Sequence, residues 1–129
     1  MNDKAFFTGE DLIFAYTRAE ALADGVLKDI TELAREAGLK YPTAITAAAW
    51  AAAIEPPDDC PGQSVEGRAW DALQLLRWQA KNAGQSNRID FQVRVQVSAN
   101  AWHDIALKAM VHAGDEGEPV ITVMLPHED

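Results

Sequence analysis

The sequence predicts an α+β fold, with four helical segments packed on a small, mostly antiparallel sheet of three or four strands. Three observations carry this expectation. Apolar residues recur at helical spacing over residues 11–83, most clearly between Ser64 and Ala83. From Phe91 onward the pattern changes to alternation, the period of a half-buried strand. The Pro- and Gly-rich run Glu55-Pro-Pro-Asp-Asp-Cys-Pro-Gly62 lies between them. It reads as a loop and not a domain boundary, because neither side is large enough to own a core. The 129 residues are therefore read as one domain, 1–129, helical over about 11–83 and strand-rich over about 90–126.

In chain order, the first helix is expected from Asp11 to Ala23, with Leu12, Ala15, Ala19 and Leu22 on one face. Thr17-x-x-Glu20 has the form of a capping box that restarts it, and Asp24-Gly25 stops it. Val26–Ile30 is short and suits an edge strand. Thr31 is the expected N-cap of a helix over Glu32–Ala37, ended by Gly38. Pro42 fits a first helical turn, so Thr43–Ile54 reads as a helix that its alanines favour.

The strongest helix opens at Ser64 and ends at Gly84. Its apolar stripe is Ala69, Ala72, Leu73, Leu76 and Ala80, with Arg68, Asp71, Gln74, Lys81 and Asn82 mostly off it. Phe91, Val93, Val95 and Val97 form the first strand of a C-terminal meander. In the second, Ile105, Leu107, Ala109 and Val111 share one face, with Lys108 and His112 on the other. Gly114–Pro119 is a loop. The last strand, Val120–Leu125, is apolar on both faces, so it should be covered on both sides or sit inside the sheet. As an exposed edge it would aggregate, so it should pair with Val26–Ile30 or with its own copy in a homodimer.

Composition narrows the function classes. Apolar residues make up 48% and charged residues 24%, an ordinary globular balance. No apolar run reaches the roughly 20 residues of a membrane span, and the acidic start lacks the basic region of a signal peptide. With Cys60 alone no disulfide is possible, so a reducing, cytoplasmic location is expected. The 20 acids exceed the 11 bases, for a net charge of −9, and the bases are scattered. Direct nucleic-acid binding and attachment to an anionic membrane are both disfavoured. Two acidic runs stand out: residues 55–71, and residues 114–129 with Asp115, Glu116 and Glu118. Such runs serve solubility or meet a basic partner.

Motifs for chemistry are few. No P-loop, Gly-x-Gly-x-x-Gly or Gly-x-Ser-x-Gly occurs, so no cofactor is expected. His103, His112 and His127 lack metal-ligand spacing, and Gly114–Glu118 lacks the calcium-loop pattern, so no metal is expected. Cys60 beside Asp58 and Asp59 makes a poor nucleophile, since carboxylates disfavour the thiolate. Tyr16, Arg18 and Asp24 form the best candidate ligand site: the first two suit an anion, and Asp24 or Asp29 could orient a base. The plain alternative is local: a cap, an ion pair and a turn. Trp78 falls off its helix stripe and Trp102 sits beside a turn. If exposed, both are natural interface anchors.

Several stretches then resemble one family together. They are Tyr16–Leu27, Ala34–Gly38, the Pro42–Trp50 segment, Gly67–Leu73 and the ending Gly114–Pro126. The family consists of small domain-of-unknown-function proteins encoded mainly on bacterial plasmids, phages and integrated elements. It brings no established activity and no catalytic residues. It implies an accessory protein of mobile DNA, and the expected partner is a host or element-encoded protein. The leading reading is a non-enzymatic protein-binding factor, with countering a host defence as a narrower version. The alternative is a small enzyme or ligand-binding domain around Tyr16, Arg18 and Asp24.

Overall fold

The computed structural model of the protein describes residues 16–58, 60 and 62–128. The expected start of the first helix at Asp11 lies outside the described residues, as do Asp59 and Asp129 of the acidic runs. Helix α1 spans Arg18–Asp24 and begins with the expected capping box: the Thr17 hydroxyl accepts from the Glu20 N–H, and the Glu20 carboxylate accepts from the Thr17 N–H. Gly25, at φ 80°, closes it in the left-handed conformation that a glycine adopts without strain. Strand β1 (Leu27–Asp29) and helix α2 (Thr31–Glu36) follow.

Thr31 does not cap α2. Its hydroxyl instead accepts from the Thr43 N–H at 3.0 Å and donates to Asp29 Oδ1, which ties the chain on both sides of the helix together. The expected helix over Thr43–Ile54 is corrected more substantially. Thr43–Thr46 is strand β2, Ala47–Ala49 is a short helix α3, and Trp50–Ile54 continues it as a π-helix. Thr46 marks the change, its hydroxyl accepting from the Ala49 N–H as an N-cap. Helix α4 (Val65–Asn82) has Ser64 as its N-cap, accepting from Gly67 N–H at 2.9 Å.

Strands β3 (Arg88–Ser98), β4 (Ala101–Ala113) and β5 (Pro119–Met124) form the predicted meander. All five strands join one sheet in the order β1-β2-β5-β4-β3. Four helical segments among the described residues make the α+β expectation right. The sheet, however, has five strands and one parallel pair, β2 with β5. The last strand is indeed covered, but neither expected partner covers it. Strand β2, within the segment whose composition favours helix, lies along one edge of β5, with Thr43 opposite Ile121 and Ile45 opposite Val123, and β4 takes the other. Both edges being occupied, β5 has no backbone edge left for a homodimer through this strand. Val26–Ile30 does supply an edge strand, paired to β2.

The core lies between α4 and one sheet face, where Leu73 and Leu76 pack with Ile45, Phe91, Val93 and Leu107. Burying each such side chain stabilises the fold by about 1.5–3 kcal/mol before entropy is charged. Two cations read as solvent-facing are in fact buried. Arg68 is 7% exposed because its guanidinium donates to the carbonyls of Ala53 and Gln96, joining the π-helix to β3. Lys108 is equally buried because its ammonium donates to the Glu128 carbonyl as the C-terminal turn folds over it. No described helix is long and apolar enough to cross a membrane.

Candidate functional site

The candidate residues fall into two groups that the fold keeps apart. The first sits on the sheet face opposite α4, where helix α1 lies against β5 and the β4–β5 loop. Helix N-termini leave backbone N–H groups without partners. Here Thr17 satisfies Glu20, and the Asp115 carboxylate comes from the loop to accept from Arg18 N–H at 2.7 Å and Ala19 N–H at 3.0 Å. Those two bonds, with the Arg18 charge behind them, hold the Asp115 carboxyl below its ordinary value.

The Arg18 side chain runs across the face of β5. One terminal nitrogen donates to Thr122 Oγ1 at 2.7 Å and the other to the Ile121 carbonyl at 2.9 Å. Burial pulls its pKa down, while Asp29, Asp115 and Glu118 favour the charge. Thr122 Oγ1 also lies 2.7 Å from His112 Nε2, and His112 Nδ1 lies 3.1 Å from the Ala113 carbonyl. The network closes when the imidazole carries its proton on Nδ1, leaving Nε2 to accept from the threonine hydroxyl. His112 and Thr122 were not singled out as partners of Arg18. Their positions in the sequence carry no sign of it, although both stand on the outer face of paired strands, offset diagonally by two residues, since Thr122 lies opposite Met110.

Tyr16 donates to Asp24 Oδ2 at 2.8 Å across the length of α1, which raises the phenol's pKa because the anion beside it opposes ionisation. Glu118 folds back over its own loop: its carboxylate accepts from Glu116 N–H at 2.9 Å and occupies the space that a side chain on Gly114 would need. Tyr16, Arg18, Asp24 and Asp115 are thus brought onto one small helix and its docking loop. A cleft of ≈ 230 Å³ opens beside them, lined by Arg18, Asp29, Thr31, Asp115 and Glu118 but not by Tyr16 or Asp24. Among the described residues no cluster of His, Cys, Asp and Glu has the spacing to hold a metal ion.

The second group is the tryptophans. Trp78 is 65% exposed on the solvent side of α4, next to the exposed Leu75. Trp102 is 54% exposed and stands on β4 opposite Gln96, on the sheet face turned away from α4. Leu107 and Ala109 point into the core, so alternation sends Trp102 and Asp104 the other way. The two tryptophans therefore lie on opposite sides of the molecule.

The edge beside Trp102 is open. β5 pairs with β4 only from Lys108 to Ala113, so among the described residues no strand pairs with Ala101–Leu107 on the side away from β3. Glu55 and Asp115, one from each acidic run, are also separated. Arg68 ties Ala53 to Gln96, which is opposite Trp102, whereas Asp115 lies just beyond Ala113 at the other end of β4. At about 3.3 Å per residue those ends are on the order of 30 Å apart, so Glu55 and Asp115 do not share a patch.

No curated protein and no solved structure matches the chain. What identifies it is the sequence as a whole, from the α1 cap to the β4–β5 loop and the last strand: DUF6573, a family of unknown function, matches residues 1–129, and the chain belongs to that family.

Proposed function

We propose that the protein is a non-enzymatic protein-binding factor that takes an extended segment of its partner along the open edge of β4, with Trp102 as the anchor. The observation that carries this reading is the unpaired stretch Ala101–Leu107 with a half-exposed tryptophan on it. Unpaired strand N–H and C=O groups pair readily with another chain, and tryptophan is enriched among the residues that dominate binding energy. The resemblance to proteins of plasmids, phages and integrated elements points to a host or element-encoded partner, with interference in a host defence as the narrower version. Asp115, Glu116 and Glu118 form a separate acidic surface, suited to steering a basic partner and not to anchoring it.

The test is capture from host lysate with tagged full-length protein and a charge-matched acidic control. We expect one stoichiometric partner, recovered undiminished with Trp78→Ala and reduced at least about tenfold with Trp102→Ala at unchanged melting temperature. Equal recovery with Trp102→Ala, or no partner beyond the control, rejects the proposal.

A second reading, a small enzyme or ligand-binding domain around Tyr16, Arg18 and Asp24, draws on the cleft beside Arg18. It requires Arg18→Ala to abolish binding or activity in protein that circular dichroism shows to be still folded.

A further inference from the structure

A larger cleft, of ≈ 530 Å³, lies on the α4 side of the sheet and shares with the sites described above only Ile121, whose carbonyl accepts from Arg18. Its floor is apolar: Leu76 from α4 and Ile89, Val111 and Ile121 from three strands. Leu76, Ile89 and Ile121 are themselves core residues, so this floor is as rigid as the core behind it. The rim holds Lys40, Arg77 and Lys81, with the exposed Tyr41 at the mouth. Among the described residues no acid lines it, although the chain has 20 acids against 11 bases.

The rim charges are not spent elsewhere. Among the described residues the side chains of Lys40, Arg77 and Lys81 make no hydrogen bond or ion pair. Lys81 lies in the last turn of α4 and offsets the partial negative charge of that helix end. Arg77 and Lys40 have no such duty. Arg77 is also positioned: its side chain crosses Gly38, where a β-carbon would sit 2.3 Å from Nε, and Gly38 holds φ +102°. The missing side chain is what lets the guanidinium lie over the cleft wall.

We propose that this cleft binds a small amphipathic anion, an apolar body seated on the Leu76–Ile121 floor with a carboxylate or phosphate head held by Arg77 and Lys40. The volume falls in the usual range of roughly 300–1,000 Å³ for small-molecule sites, and such sites pair an apolar lining with a few placed polar groups. Arginine suits the head group because its fork of donors matches a carboxylate or phosphate in two bonds. The net negative charge of the chain opposes an anion only at long range, and beyond about 8 Å physiological salt screens it, so the local cations decide.

The test uses the full chain, amide-resolved NMR and three probes: decanoate, decanol and inorganic phosphate. Decanoate is expected to shift amides at 38–41, 76–89, 109–111 and 121 saturably. Its affinity should fall roughly tenfold in the double variant Lys40→Gln/Arg77→Gln, whose melting temperature should stay unchanged because both side chains are exposed and neither serves the end of α4. Equal binding of decanol rejects the charged head, and equal saturation by phosphate rejects the apolar body. No saturable shift with decanoate, or unchanged affinity in the variant, overturns the site altogether. A sedimentation coefficient that rises with protein concentration in the wild type and not in the variant gives the cleft to a second copy of the chain, and also overturns it.

Discussion

Asp115 does at long range what a capping residue normally does from the next position: it accepts the Arg18 and Ala19 N–H groups that α1 cannot satisfy itself. Removing it as Asp115→Ala should lower the melting temperature measurably while leaving the sheet intact by circular dichroism. The pH dependence has a definite sign. The folded pKa is depressed below the ordinary aspartate value, so the stabilisation is complete above that ordinary value and is lost as pH falls through the depressed one. Melting curves between about pH 5 and pH 2 should therefore show a steeper acid loss in the wild type than in Asp115→Asn. Arg18→Ala should cost about 1–3 kcal/mol, because two hydrogen bonds from a charged donor disappear and the oxygens of the buried residues Thr122 and Ile121 lose a partner. A denaturant titration reads that cost directly. The capping box and the Asp24-Gly25 stop were legible here because each is a local device. The Asp115 bond was not, since 97 positions separate it from Arg18.

Among the elements, the one misread is the most instructive. Pro42 and the alanines from Ala47 favour helix when taken alone, and the helix does form from Ala47. Thr43 and Ile45, both β-branched, instead enter the sheet because β5 offers an edge that would otherwise be bare and apolar. The switch falls on Thr46, which caps α3 and also donates to Glu128 Oε1 at 2.7 Å. Thr46→Ala should destabilise the protein by about 1 kcal/mol from the lost cap, with Thr46→Ser recovering most of it. Chemical denaturation of both variants checks this. Helix α4 and strands β3 to β5 were legible because their periodicities run long enough to outweigh local noise. The open edge at Ala101–Leu107 was not, because pairing register depends on where β5 ends and not on β4 itself.

For the molecule as a whole, the sheet order sets a gradient of stability. Ile121–Val123 is paired on both sides, so its amides should exchange with solvent most slowly, near the global unfolding limit. Amides facing outward in Ala101–Leu107 should exchange much faster, and hydrogen exchange followed by NMR or mass spectrometry distinguishes them. Fast exchange at Val123 would contradict the central place of β5. The sequence by itself determined the α+β class, the helix caps at Thr17 and Ser64, the meander, and the need to cover β5 on both faces. These follow from residue periodicity and short-range hydrogen bonding, which a chain carries wherever it goes. Only the tertiary structure decided which segment covers β5, that Arg68 and Lys108 are buried, that Glu55 and Asp115 lie toward opposite ends of β4, and that three unpaired cations ring an apolar cleft. Each of those depends on contacts between residues far apart in the chain, where packing and the demand that buried polar groups find partners override local preference.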